Sequence, residues 1–132
     1  FGNRFLWLCV RRSKCLPEGG HLDDDAFADL TPRIAAAFAF AGEERQLHRD
    51  KAAKELWAKV YPDLSEGKPG LSGALAGRAE AQVMRLALVY AVLDCSPVIR
   101  VEHLTAAIAL WEYCDKSVMW CFGDATGDSV AE

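Results

Sequence analysis

RAEAQVMRLALVYAVLD at residues 78–94, followed by VIRVEHLTAAIALW at residues 98–111, is the strongest indicator of the fold in this chain. In both segments apolar residues recur with the three- and four-residue spacing of an amphipathic helix. We therefore predict one long helix from about Ser72 to Asp94, a turn at Ser96–Pro97, and a last helix from about Val101 to Phe122.

Two arginines interrupt this apolar pattern. Arg78 and Arg85 are seven residues apart, which is two helical turns, so both guanidinium groups are expected to project from one side of the helix. Because a helix this apolar is expected to be buried on most sides, each arginine needs an anionic partner or an exit to water. Ion pairs with acids such as Glu80, Asp94 or Glu102 are the ordinary alternative.

The N-terminal segment RFLWLCVRR, residues 4–12, is apolar at both odd and even positions. This pattern favours a strand that is covered on both faces inside a larger sheet. Since the strand would have unpaired edges in this chain, we expect it to pair with another copy or to pack back on its own helices.

The segment between the strand and the long helix has a helical pattern. A short helix is predicted over residues 23–30, and Thr31–Pro32 is predicted to begin another that stops at Gly42. Asp50 is predicted to cap a third helix, which Pro62 ends. The sequence therefore predicts a mainly α fold, a helical bundle preceded by one β-strand.

Composition narrows the function classes. The chain has 132 residues, of which 52% are hydrophobic, and a formal net charge of −4. This supports a folded, soluble domain and excludes a DNA-binding module with a uniformly basic surface, although Arg11, Arg12 and Lys14 can form a local basic patch.

No apolar run reaches membrane-spanning length. Five cysteines without a C-x-x-C pair and three scattered histidines predict no metal site and fit a reducing cytoplasm.

Two single residues have a structural and a functional interpretation. Arg4 is most simply a surface arginine at a strand edge, and alternatively an arginine finger that reaches a nucleotide phosphate across a subunit boundary. His103 is expected to pack against or cap the last helix rather than to bind a metal. The sequence has no P-loop, G-x-S-x-G, H-E-x-x-H or deaminase motif, so a complete active site is not expected in it.

Five segments in a fixed order carry a family resemblance. They are NRFLWLCVRR at residues 3–12, the W-x-x-x-Y pattern at 57–61, the arginine-bearing helix at 78–94, HLTAAIALWEY at 103–113 and SVMWCFGD at 117–124. In this order they resemble the C-terminal region of the helicase-like ATPase family found in phage- and plasmid-type primase–helicase proteins. More distantly, the first and third segments resemble the last core strand and the lid of AAA+ replicative helicases.

The resemblance implies a division of the chain into three parts. Residues 1–15 would contain the last strand of an upstream P-loop ATPase core. Residues 16–70 would form a helical insertion and linker, and residues 71–132 a C-terminal, lid-like helical subdomain. The chain would then be part of a DNA replication helicase or primase-associated ATPase.

The resemblance also implies roles for individual arginines. Arg4 would be the catalytic arginine finger acting in trans, and Arg78 and Arg85 would contact the nucleotide phosphate in cis. ATP and Mg²⁺ would act in the full-length protein, with no cofactor expected in the isolated chain, which would be inactive alone. Implied partners are the upstream core, further copies in a homo-oligomeric ring, and DNA through the full-length protein, in the cytoplasm and without a membrane.

The rival interpretation is a non-catalytic helical module that binds DNA or another replication protein. Its contact surface would consist of basic residues, namely Arg11, Arg12, Lys14, Lys51 and Lys54. It predicts salt-sensitive DNA binding by the isolated chain, whereas the ATPase interpretation predicts little or no binding to DNA or ATP. A third possibility is a structural lid whose arginines only make salt bridges.

Overall fold

A computed structural model describes residues 2–20, 24–43 and 46–123 of the chain. Within these ranges the fold is mainly helical, with six α-helices and one two-stranded parallel sheet. In chain order the elements are a 3₁₀ turn Gly2–Arg4, α1 Asp24–Ala28, α2 Leu30–Ala41, β1 His48–Arg49, α3 Lys51–Ser65, α4 Gly70–Ala76, α5 Ala79–Leu93, β2 Val98–Ile99 and α6 Val101–Phe122. The mainly helical part of the predicted fold is thus confirmed.

Helices α5 and α6 form the centre of the bundle. Ala87 and Ala91 of α5 are fully buried, as are Leu104 and Ala107 of α6. Because alanine side chains end at Cβ, they let the two helices approach closely. Helices α3 and α4 pack against α6, α3 also contacts α5, and α2 covers another part of α5. The central pair is therefore the element against which α2, α3 and α4 pack.

The predicted single helix from Ser72 to Asp94 is wrong, because the chain breaks at the junction of α4 and α5. Gly77 is extended at φ −55° and ψ 146°, and Arg78 is left-handed at φ 74° and ψ 29°. These angles are those of the central residues of a type II turn. The apolar spacing continues across the turn, so the periodicity alone did not reveal it.

Other helix ends agree with the sequence in part. Helix α6 has the predicted bounds, and α2 ends before Gly42 as predicted. Helix α2, however, begins at Leu30 rather than at the predicted Thr31–Pro32.

Helix α3 continues through Pro62 to Ser65, because a proline near the end of a helix removes only one donor there. Asp23, where the first helix was predicted to start, lies outside the described residues.

The small parallel sheet joins two distant parts of the chain. Strand β1, His48–Arg49, pairs with β2, Val98–Ile99. The Asp50 N–H then donates to the Ile99 carbonyl at 3.1 Å. The Asp50 side chain accepts from the Ala53 N–H at 2.7 Å, which confirms the predicted cap of α3. The sheet fixes the start of α3 beside α5 and α6.

The strand predicted at residues 4–12 is wrong. Gly2–Arg4 forms a 3₁₀ turn, and residues 6–16 have no regular secondary structure. The expected cover on both faces is also wrong, because Leu6, Trp7 and Cys9 are half-buried whereas Phe5, Leu8 and Val10 are exposed. Backbone groups here can bond to side chains of α6, so a neighbouring strand is not needed to satisfy them.

The N-terminal segment packs back on α6, which is one of the two expected outcomes. The ring of Trp7 meets that of Phe122 edge-on, with centroids 5.4 Å apart. The Cys9 N–H donates to Ser117 Oγ at 3.0 Å, and the Tyr113 hydroxyl donates to the Cys9 carbonyl. These contacts place the segment that precedes residue 10 along the C-terminal half of α6.

Candidate functional site

The three arginines implied in phosphate binding are all exposed. Arg4 ends the 3₁₀ turn, Arg78 precedes α5, and Arg85 lies within α5. Within the described ranges, none of the three forms an ion pair with a carboxylate. Arg100, by contrast, lies 3.7 Å from the Asp94 carboxylate. The three guanidinium groups are therefore accessible to an anion from outside the chain.

The expectation that Arg78 and Arg85 project from one side of a single helix is wrong. Arg78 is the N-cap residue of α5 and has a positive φ, so it lies outside the regular helix. Its carbonyl accepts the first helical hydrogen bond, from the Gln82 N–H at 3.0 Å. The turn at Gly77 redirects Arg78, and as a result the two arginines line different cavities.

Arg78 lines a cavity of about 220 Å³ between α3, the α4–α5 junction and α6, which we call the acid-rich cavity. Its titratable lining residues are Asp63, Glu66, Lys68, Arg78, Glu80, Glu112 and Asp115. One of the two cations, Lys68, is already paired with Asp115 at 2.8 Å. Five carboxylates against two cations do not favour a polyphosphate inside this cavity. Arg78 can therefore bind a phosphate only if its side chain points away from the acid-rich cavity.

Arg85 lines a second cavity of about 350 Å³, which we call the basic cavity. Its walls are Leu47, His48, Arg49, Lys54, Met84, Arg85, Leu88 and Ile99. The lining includes three cationic side chains, those of Arg49, Lys54 and Arg85, and one histidine, and it contains no carboxylate. Sequence reasoning included Lys54 only as part of a surface and missed His48 and Arg49. No local signal could have found them, since β1 and α5 are far apart in the chain.

Arg49 is the best-anchored cation of the basic cavity. Its backbone belongs to β1, which the parallel pairing with β2 holds in place. Its guanidinium carbon lies 5.4 Å from the centroid of the Trp57 ring, a cation–π distance. Its Nη1 atom is buried and has no hydrogen-bond partner in the described part of the chain. A buried donor without an acceptor is costly, and almost all buried donors in folded proteins have a partner, so Nη1 is an exception that needs an explanation.

The predicted nucleic-acid-binding residues Arg11, Arg12 and Lys14 lie together in the exposed, irregular segment after residue 10. None of them forms an ion pair with any carboxylate in residues 2–20, 24–43 or 46–123. They line neither the acid-rich nor the basic cavity. This basic segment is thus a separate surface.

His103 has the capping role that the sequence predicted. It is 3% exposed, and its Nδ1 accepts from the Arg100 N–H at 3.1 Å at the start of α6. Its Nε2 lies 3.0 Å from Asp94 Oδ2, which ties the end of α5 to the start of α6. Both ring nitrogens are therefore engaged in structural contacts.

The structure and the comparisons add three findings on the wider function. Among the described residues there is no group of three or more His, Cys, Asp or Glu side chains arranged to hold a metal ion. None of the helices in these ranges combines the length and apolar character needed to cross a membrane. Comparison of the chain with family models, curated proteins and solved structures finds no match.

Proposed function

We propose that the chain is the C-terminal helical part of a nucleotide-driven replication helicase or primase-associated ATPase. In this proposal it supplies phosphate-binding arginines on a helical, lid-like subdomain. The observation that carries it is the common state of Arg4, Arg78 and Arg85, which are exposed and unpaired among the described residues. Three such arginines, on a 3₁₀ turn, at the N-cap of α5 and within α5, suit an anion that another part of the machine presents.

Each arginine has a defined task in this proposal. Arg4 binds the γ-phosphate held by a neighbouring subunit, and Arg78 and Arg85 bind phosphate in the same subunit. A guanidinium group is always charged and offers paired N–H donors that match phosphate oxygens, which orients the phosphate and stabilises its negative charge. The full-length protein is proposed to act on DNA as a homo-oligomeric ring in the cytoplasm.

The nucleotide and its metal belong mainly to the upstream core in this proposal. When bound, ATP would supply the phosphoanhydride bond whose hydrolysis drives the machine, and Mg²⁺ would offset the negative charge of its phosphates. The donor set described here fits the phosphate but not the metal, because the residues described contain cationic side chains around the basic cavity and no metal-ligand cluster. The Mg²⁺ ligands would therefore come from upstream.

The backbone at Arg78 supports a functional interpretation of this residue. A left-handed φ of 74° is one that glycine adopts readily and arginine does not. Strained residues persist at functional sites because the side chain is needed there. Since the acid-rich cavity disfavours a phosphate, Arg78 is proposed to reach outward, towards the upstream core.

The test uses full-length protein and measures ATP turnover. Arg4→Ala and Arg78→Ala are each expected to lower turnover more than about tenfold, since each removes a transition-state contact to phosphate. Arg33→Ala is the matched control, because Arg33 is an equally exposed arginine on α2 that lines neither cavity. Turnover within about twofold of wild type for both Arg4→Ala and Arg78→Ala would reject the assignment.

One observation favours the rival, a DNA-binding helical module. Arg11, Arg12 and Lys14 are exposed and adjacent on an irregular segment, which can follow a phosphate backbone. The rival predicts DNA binding by the isolated chain that weakens steeply with salt. Fluorescence anisotropy at two salt concentrations, with the triple glutamine variant of these residues as control, separates it from the ATPase proposal.

A further inference from the structure

We infer that the basic cavity is a nucleotide-binding site of this chain. Arg49, Lys54 and Arg85 bind the phosphate, and the apolar wall of the cavity accommodates the nucleoside. The inference deepens the proposed function at Arg85 and otherwise goes beyond it, because it needs no upstream core. It also departs from the expectation that the isolated chain holds no cofactor.

The charge of the cavity selects an anion. Arg49, Lys54 and Arg85 line one volume without a lining carboxylate, whereas five carboxylates line the acid-rich cavity. Asp50, the acid adjacent to Arg49 in sequence, directs Oδ1 to the Ala53 N–H at 2.7 Å as the cap of α3. Mutual repulsion among cations that share a cavity is relieved when a multivalent anion binds between them.

Arg49 provides the second, independent observation. Its buried Nη1 lacks a hydrogen-bond partner in the described ranges, although almost all buried donors in folded proteins have one. The Trp57 ring, 5.4 Å from the guanidinium carbon, restricts the side chain from that side. Nη1 itself is closed off from solvent, so a phosphate oxygen in the adjoining cavity would instead accept from the remaining guanidinium N–H groups of Arg49.

The apolar wall distinguishes a nucleotide from a bare phosphate. Leu47, Met84, Leu88 and Ile99 line the same cavity as the cations, and Leu88 is 41% exposed. An inorganic anion gains nothing from such a wall, whereas a nucleobase buries apolar surface on it, and methionine adapts to flat rings. Because 350 Å³ is at the small end of ligand pockets, it suits one nucleotide unit.

One nucleotide unit has two possible sources with the same chemistry. It can be a free nucleoside triphosphate or one residue of single-stranded DNA. The experiment therefore titrates the 132-residue chain with ATP, with a short oligothymidylate and with inorganic tripolyphosphate at low salt, by calorimetry. We expect ATP or the oligonucleotide to bind with a Kd below about 1 mM, and at least about fivefold more tightly than tripolyphosphate.

Variants locate the binding. Arg49→Gln and Lys54→Gln are each expected to weaken it about tenfold or more, because each removes one charged phosphate contact. Lys51→Gln is the matched control: Lys51 lies on α3, pairs with Glu55 and does not line the cavity. Since Arg49 also packs on Trp57, circular dichroism is used to check that the Arg49→Gln variant is folded. If it is not, the Lys54→Gln variant still tests the site, because Lys54 is exposed and its replacement is not expected to disturb the fold.

Each outcome decides the inference. Absence of binding up to several times the expected Kd overturns it, and so does equal binding of tripolyphosphate, which would indicate an anion site without nucleoside recognition. Weakening by Lys51→Gln as large as that by Lys54→Gln would point to the rival DNA-binding surface and also overturn it. The proposed function stands or falls separately, because its test uses Arg4 and Arg78, which do not line this cavity.

Discussion

Replacing Arg78 with glycine is expected to give a more stable chain than replacing it with alanine. Arg78 has φ 74° and ψ 29°, a left-handed conformation in which a Cβ atom crowds the following carbonyl. That crowding costs roughly 1 kcal/mol for an L-residue and nothing for glycine. Both variants remove the same exposed, unpaired guanidinium, so the difference between them isolates the backbone effect.

Position 85 offers the matched control on the same helix. Arg85 is also exposed, but it lies within the regular part of α5, where glycine is about 1 kcal/mol less favourable than alanine. The order of stability is therefore expected to reverse, with alanine above glycine at position 85. A difference of about 1 kcal/mol corresponds to a shift in Tm of about 3–5 °C in a chain of this size.

Urea denaturation followed by circular dichroism at 222 nm measures all four variants in one series. The reasoning is refuted if Arg78→Ala is as stable as Arg78→Gly, or if both positions show the same order. In that case the turn at Gly77 does not have the conformation described. If glycine is preferred at position 78, the wild-type arginine lowers the stability of the chain, which is expected where a side chain is needed for function. The ATP-turnover test of Arg78→Ala then measures that function.

Three further predictions concern the scaffold. Asp50→Ala should lose about 1 kcal/mol of unfolding free energy with the α3 cap, and an unchanged urea midpoint would contradict the cap. Gly73→Ala should cost about 1–3 kcal/mol, since its Cβ would overlap the Lys68 carbonyl, whereas Gly67→Ala meets open space and should be neutral. Burial raises the pKa of the Cys114 thiol and shields it from reagents, so maleimide should label it more slowly than the exposed Cys15 and Cys95. Because the folded state holds that proton more tightly, stability should fall as the pH rises above about 8.5, and a flat profile would count against this.

The sequence was sufficient where one local signal decided the structure. The bounds of α6 follow from its apolar periodicity and the Ser96–Pro97 turn, and the start of α3 follows from Asp50, whose side chain can reach only the first turn. The prediction of a strand at residues 4–12 failed because a short apolar run does not by itself determine the backbone conformation. Helix α6, not a sheet, contacts this segment, and it leaves Phe5, Leu8 and Val10 exposed.

The residues of the candidate site could be predicted only in part, because a local pattern does not show which residues meet in the fold. Exposure of Arg4, Arg78 and Arg85 is compatible with their charge, but their grouping depends on tertiary contacts. Arg49 reaches the neighbourhood of Arg85 because β1 pairs with β2, and a two-residue strand leaves almost no pattern in the sequence. The break at Gly77 likewise moves Arg78 to another cavity without disturbing the apolar spacing.

The separation of Arg78 from Arg85 constrains any common mechanism. Arg85 lies within α5 and Arg78 directly precedes it, and the small side chains of α5 are packed against α6, so both positions are tied to the central pair. A nucleotide in the basic cavity would join β1 and α3 to α5, and would thereby fix α5 relative to the elements around it. Arg78, in the turn directly before α5, would then be held in a set orientation. Substitutions of the two arginines are thus expected to have different effects. Replacing Arg85 removes a contact to the nucleotide in the basic cavity, whereas replacing Arg78 leaves binding in that cavity intact and lowers only ATP turnover.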